Sequence, residues 1–125
     1  MLKLNNIMLL SQSSTRNLTE NGITGQLEFS GTFTLNDADN RPWPKELTVD
    51  ITASIVNEHA ERIELMHAQN IYAVSFTEDP EDFPSEIAEA VWPYVRPDVV
   101  SYFHTYNLPA DSVPLFGAAA QDNGN

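Results

Sequence analysis

Apolar and polar residues alternate most cleanly between Leu47 and Ile55. Leu47, Val49, Ile51, Ala53 and Ile55 fall on one side, and Thr48, Asp50, Thr52 and Ser54 fall on the other. A period of two marks a strand with one buried face. The same pattern runs earlier, with Leu27, Phe29, Phe33 and Leu35 set against Gln26, Glu28, Ser30, Thr32 and Thr34. Gly25 and Gly31 interrupt that apolar side and predict a bulge or a close approach by another backbone. Residues 2–10 predict a first strand, and the polar stretch Ser11–Gly22 reads as a connection. Asn36–Pro44, rich in Asx residues and holding Pro42 and Pro44, predicts a loop around Trp43. Residues 62–76 predict a long strand in which Ile63 and Leu65 have the opposite parity from Tyr72, Val74 and Phe76. A bulge is therefore required, and the sequence places it near Gln69-Asn70.

After the acidic turn Glu78–Asp82 the period changes. Ile87, Val91, Val95, Val99, Tyr102 and Phe103 recur at helical spacing, and Phe83-Pro84-Ser85-Glu86 resembles a helix start. Pro93 and Pro97 predict two pieces: a short helix ending near Val91, then a longer one opened by Pro93 and bent at Pro97. Pro109 and Pro114 predict an extended segment. Residues 1–117 form one expected domain of α+β class, a four-stranded antiparallel sheet with the C-terminal helix packed on one face, and residues 118–125 an expected disordered tail.

Composition removes several functions. Eighteen acidic against six basic residues give a net charge of −12, and the basic residues are scattered, which disfavours nucleic-acid phosphates and anionic lipid. With no cysteine in the chain, disulfides, thiolate zinc sites and cysteine nucleophiles are all excluded. The N-terminal residues do not form a signal peptide, and no apolar run reaches the length of a membrane span. These features predict a cytoplasmic protein with no membrane insertion and no nucleic-acid partner.

Candidate chemistry is sparse. His59 and His67 are eight residues apart, about 26 Å in a strand or about 12 Å in a helix, too far to share a metal unaided. His67 with a carboxylate is the one hydrolytic arrangement worth naming. Asp37 and Asp39 lack the glycine and closing glutamate of a calcium loop, and no phosphate-binding loop or nucleophile elbow is present. The expectation is a protein that is not an enzyme and uses no cofactor or metal.

One segment is more specific. Trp92-Pro93-Tyr94-Val95-Arg96, with the amphipathic run to Asn107 and the proline-containing stretch to Phe116, closely resembles the start of the long helix in the bacterial protein-export chaperone SecB. Val49–Ile55, reading Val-Asp-Ile-Thr-Ala-Ser-Ile, is similar to the third strand of that family. The resemblance in element order extends over residues 1 to about 116. It implies a four-stranded antiparallel sheet, helix-mediated assembly as a dimer of dimers, and ATP-independent binding of unfolded polypeptides. The chain departs from the family pattern after the helix, where Asp111–Phe116 replaces the usual sequence and no second helix follows. The first connection carries Leu18 as its one large apolar residue. The wider SecB group also includes chaperone-like proteins dedicated to toxin and antitoxin pairs.

On this resemblance, Leu27, Phe29, Tyr72, Val74 and Phe76 are the candidates for contact with unfolded chains. Tyr102 and Phe103 are candidates for the contact between subunits of a dimer or tetramer. Asp50, Glu64, Glu78 and Asp79 are candidates for docking the basic segment of a translocation motor. A SecB-like fold serving as an oligomeric interaction module or dedicated-partner adaptor is the alternative.

Overall fold

Four long strands precede one helix. In the computed structural model, which describes residues 1–18 and 25–115, the strands are β1 (Leu4–Arg16), β2 (Gln26–Asp37), β3 (Lys45–Val56) and β4 (Arg62–Phe76), and the helix is α1 (Ile87–Thr105). All pairings are antiparallel and the sheet order is β1-β4-β3-β2. The first strand made therefore sits at one edge, against the last. The architecture is α+β, as the sequence predicts.

β3 supplies the centre of the core, because the five apolar residues from Leu47 to Ile55 are all buried on the face that α1 covers. β2 follows it without a register break, from Gln26 opposite Val56 to Asp37 opposite Lys45. Gly31 therefore marks no bulge. Gly25 does mark a close approach: its φ is +131°, and a Cβ there would lie 2.3 Å from the Val56 carbonyl oxygen.

Two expectations about the strands are corrected. β1 runs on through Ser11–Arg16, which pairs with β4 from Ile71 to Met66. The expected connection is thus half strand, and its part over 19–22 lies outside the described residues, as do residues 23–24 and 116–125. The bulge in β4 falls at Leu65, between Glu64 opposite Ser54 and Met66 opposite Ala53, not at Gln69-Asn70. The extra residue brings Ile63 onto the same face as Met66, Ala68 and Tyr72, and Leu65 and Met66 are both buried. β1 carries two further irregularities, at Asn5 and Leu10.

The helix differs from expectation as well. α1 is one helix of 19 residues with Pro93 and Pro97 inside it. The two prolines are four residues apart and both exposed. The backbone carbonyls they leave without a helical donor therefore lie on the solvent side, where water replaces the lost bonds. Two 3₁₀ turns, Pro80–Asp82 and Pro84–Glu86, lead into the helix, and the Asp79 side chain accepts from the Glu81 amide at 3.0 Å to cap the first. The helix ends in a Schellman motif. Asn107 takes φ +59°, its amide donates to the His104 carbonyl at 3.2 Å, and the Leu108 amide reaches the Phe103 carbonyl at 2.7 Å. The segment after it is extended apart from a 3₁₀ turn at Ala110–Ser112.

The Trp-Pro-Tyr-Val-Arg segment acts as a clamp. Trp92 is fully buried against Phe29 and Phe33, with ring centroids 6.0 and 5.9 Å away. Its Nε1 and the Nε of Arg96, one turn on, both donate to the Pro114 carbonyl, at 3.0 and 2.9 Å. The helix thereby holds the chain that follows it across the β2 side of the sheet, where Val113 is buried.

Candidate polypeptide-binding surfaces

Between α1 and the β1–β4 side the packing turns polar. Gln12 Nε2 donates to the Tyr102 hydroxyl at 3.0 Å, Tyr102 donates to Asn70 Oδ1, Asn70 Nδ2 donates to the Tyr72 hydroxyl at 2.9 Å, and Tyr72 donates to Asp98 Oδ2 at 2.7 Å. The hydroxyls of Ser14 and Tyr106 lie 2.5 Å apart. Asn70 and Tyr72 are almost fully buried, so each must have its partners to avoid a desolvation loss. Burial is the main cause holding both Tyr72 and Tyr102 in their neutral forms above the ordinary tyrosine range, and the Asp98 carboxylate adds to it. The chain of bonds ties the Gln12–Ser14 part of β1 to the helix, beside the packing of Leu4 and Ile7 against the core.

That leaves β1 as an edge with unusual properties. It has 13 residues, contains no proline, and carries no charge before Arg16. Proteins normally blunt such edges with charge or proline. Met8 on one face and Leu9 on the other are 51% and 40% exposed. Tyr94, on the same flank of α1 as Asp98, is also exposed. Among the described residues no strand pairs with the outer side of β1.

The candidates for contact with unfolded chains share the helix-covered face of the sheet but do not form one surface. Tyr72 and Val74 are buried in the core. Leu27, Phe29 and Phe76 are partly exposed, but Leu27 pairs with Ile55 at one end of β3, whereas Leu4 pairs with Phe76 beyond the other end. The two subunit-contact candidates are spent inside the protomer. Phe103 is fully buried with its ring 6.2 Å from that of Phe29, and Tyr102 is occupied by the polar chain. The outward surface of α1 presents Pro93, Tyr94, Pro97, Ser101 and His104 instead.

The acidic candidates divide between two places. Asp50 and Glu64 lie on the face of the sheet away from α1, which is built of Ser, Thr, Gln and Glu side chains. Glu78 and Asp79 follow the far end of β4, roughly 40 Å from Glu64 at strand rise. Asp50 accepts from Gln69 Nε2 at 3.0 Å, and its Oδ1 is 3.6 Å from His67 Nε2. The carboxylate beside His67, which the sequence left unspecified, is thus Asp50, on an open sheet face where both are partly exposed. Among the described residues no group of three His, Cys, Asp or Glu side chains could hold a metal ion, and no helix is long and apolar enough to cross a membrane.

Two concavities were not foreseen. Trp43 lies part-buried beside Met8 and Ala73, around a cavity of about 220 Å³. Its Nε1 donates to Glu46 at 2.9 Å and the Arg41 guanidinium sits 5.9 Å from its ring. A larger pocket of about 440 Å³ opens where β2, β3 and the two 3₁₀ turns converge, lined by Phe33, Leu35, Pro80, Pro84 and Ile87, with Asp37, Lys45 and Glu81 around it. The Lys45 ammonium bonds to Asp37 and lies 3.4 Å from Glu81. The Asp37 hydrogen bond raises its pKa above the ordinary value despite some desolvation. Phe33, Leu35, Asp37, Pro84 and Ile87 each stood out in the sequence for another reason, but nothing there joined them into a pocket, because its parts come from three separate segments.

No family model matches the sequence, and no curated protein matches it. Among solved structures, the chain is similar to a Mycobacterium tuberculosis SecB-like chaperone in complex with a ChAD peptide from an antitoxin. The identity is 14%, the match covers 92% of this chain and 89% of that one, and the TM-score is 0.45.

Proposed function

We propose that this protein is an ATP-independent binder of extended polypeptide segments, a holdase of the SecB kind, acting in the cytoplasm. The uncharged, proline-free edge of β1, flanked by exposed Met8 and Leu9, supports this reading. An extended chain adds to such an edge through its own backbone, so binding is tolerant of sequence, and apolar side chains on either face add affinity. Binding a non-native chain withdraws it from aggregation by mass action, with no nucleotide required.

The same edge accepts a second copy of the protein, and we propose a dimer or tetramer assembled along β1 and the Tyr94 flank of α1. In an export role, Asp50 and Glu64 on the open sheet face would dock the basic segment of a translocation motor, with Glu78 and Asp79 as a separate contact. The scattering of Leu27, Phe29 and Phe76 favours a second reading, a dedicated-partner adaptor of the toxin–antitoxin type or an oligomeric interaction module, since no single long groove joins them.

Light scattering from a chemically denatured client diluted into increasing amounts of the protein tests the proposal. Suppression of aggregation near stoichiometric amounts is the expected result. No suppression at large excess overturns the general holdase and leaves the adaptor.

A further inference from the structure

The three methionines of the chain occupy different environments. Met66 is 1% exposed in the core, Met1 is 87% exposed, and Met8 is 51% exposed on the β1 edge. Met8 is also the point where the loop around Trp43 meets that edge. Across the open face of the sheet it stands opposite Ala73, and Ala73 stands opposite Glu46. Glu46 accepts the Trp43 Nε1 hydrogen bond at 2.9 Å, which ties the indole to this row, and Ala73 is accordingly buried. Met8, Ala73 and Trp43 share the walls of the cavity of about 220 Å³. The thioether thus serves both the apolar edge and the seat of the Trp43 loop, where sulfur beside an aromatic ring is favourable.

Resting on the reading of β1 as a polypeptide-binding edge, we propose that Met8 is a reversible oxidation site that switches this edge off. The oxidant is a peroxide. The Met8 sulfur attacks one peroxide oxygen, the O–O bond breaks, an S=O bond forms and water leaves, so that sulfur is oxidised and the peroxide reduced by two electrons. The sulfoxide is a polar group that holds water. An apolar segment adding to β1 must strip that water or trap it, and the indole of Trp43 loses the thioether beside it. Met66 is sealed in the core and is spared, so the fold survives the change that silences the edge.

The test treats the folded protein with hydrogen peroxide, removes the excess with catalase, and follows each methionine by peptide mass spectrometry. Met1 and Met8 are expected to become sulfoxides and Met66 to stay reduced. Protection of the denatured client should then need about tenfold more protein, and tryptophan emission should move to longer wavelength as Trp43 gains water. The two methionine sulfoxide reductases, one for each sulfoxide epimer, should restore both readings. Each variant is compared with its own untreated sample, and a thermal melt by circular dichroism establishes that the samples compared are folded. Met8→Leu should keep its level of protection after peroxide although Met1 is still oxidised, and Met8→Gln, with a polar group in place of the thioether, should be weakened before any treatment. Unchanged protection after complete oxidation of Met8, or an equal loss in Met8→Leu, overturns the switch and leaves the polypeptide-binding reading standing. No protection by the untreated protein overturns that reading and the switch with it.

Discussion

Replacing Trp92 with alanine probes the contact on which the helix, the sheet and the C-terminal segment all converge. The indole is fully buried between Phe29 and Phe33. A Trp side chain buries ~150–250 Å², which at ~25 cal/mol per Å² is about 4–6 kcal/mol of transfer free energy. Measured losses for Phe or Trp to Ala in cores run at about 3–5 kcal/mol. The lost hydrogen bond adds little, because the Pro114 carbonyl keeps the Arg96 Nε donor at 2.9 Å and is not orphaned. We therefore expect Trp92→Ala to lose about 4 kcal/mol, a large share of the ~5–15 kcal/mol typical of a domain. Trp92→Phe, which keeps a ring against Phe29 and Phe33, should lose about 1–2 kcal/mol. Urea unfolding followed by far-ultraviolet circular dichroism measures both, with the denaturant slope checked for constancy. A loss below ~1.5 kcal/mol for the alanine variant, or equal losses for the two, would falsify the account of Trp92 as the keystone of the helix–sheet contact.

Three further outcomes follow from the structure. Because the pKa values of Tyr72 and Tyr102 are raised above the ordinary tyrosine value by burial in the folded state, the stability they contribute is complete below pH ~10. It is lost as pH rises through the folded values, since the unfolded chain gives up these protons first. Stability should fall above pH ~10, less steeply in Tyr72→Phe, and an identical slope in wild type and variant would contradict the buried-tyrosine argument. Gly25→Ala forces a Cβ against the Val56 carbonyl at a φ of +131° and should cost about 1–3 kcal/mol; a neutral result in thermal denaturation would mean that the turn relaxes freely. Leu9→Lys places a charge on an already exposed position of β1 and should change stability by less than about 0.5 kcal/mol while abolishing self-association and client protection, read by light scattering; retention of both would remove β1 as the binding edge.

The alternation from Leu47 to Ile55 made β3 legible, because a central strand buried on one face has to keep that pattern. β1 was only half legible. Its Ser11–Arg16 half has no large apolar residue, and Gln12 and Ser14 find their partners in Tyr102 and Tyr106, far along the chain. The parity clash between Ile63 and Tyr72 demanded a bulge, but nothing local fixes it at Leu65 rather than at Gln69. Pro93 and Pro97 break a helix by local rules, yet here their exposed positions let water complete the backbone. Phe103 shows the limit for sites: a large aromatic on an amphipathic helix reads the same whether it closes its own core or meets another subunit. The pocket beside Lys45 draws on β2, β3 and the turns before α1, and only the folded sheet brings these together.

The sheet order also sets a schedule. β1 leaves the ribosome first, but its register partners, Met66 to Phe76, follow it by roughly 60 residues, which at ~5–20 residues per second is about 3–12 s of synthesis. Throughout that interval β2 and β3 can close their hairpin, while an uncharged strand carrying Ile7, Met8, Leu9 and Leu10 waits without a mate. A protein whose proposed work is to keep other chains from aggregating is thus most vulnerable to aggregation while it is itself being made. A circular permutation that moves β1 to follow the C-terminal segment would give the strand its partner on arrival.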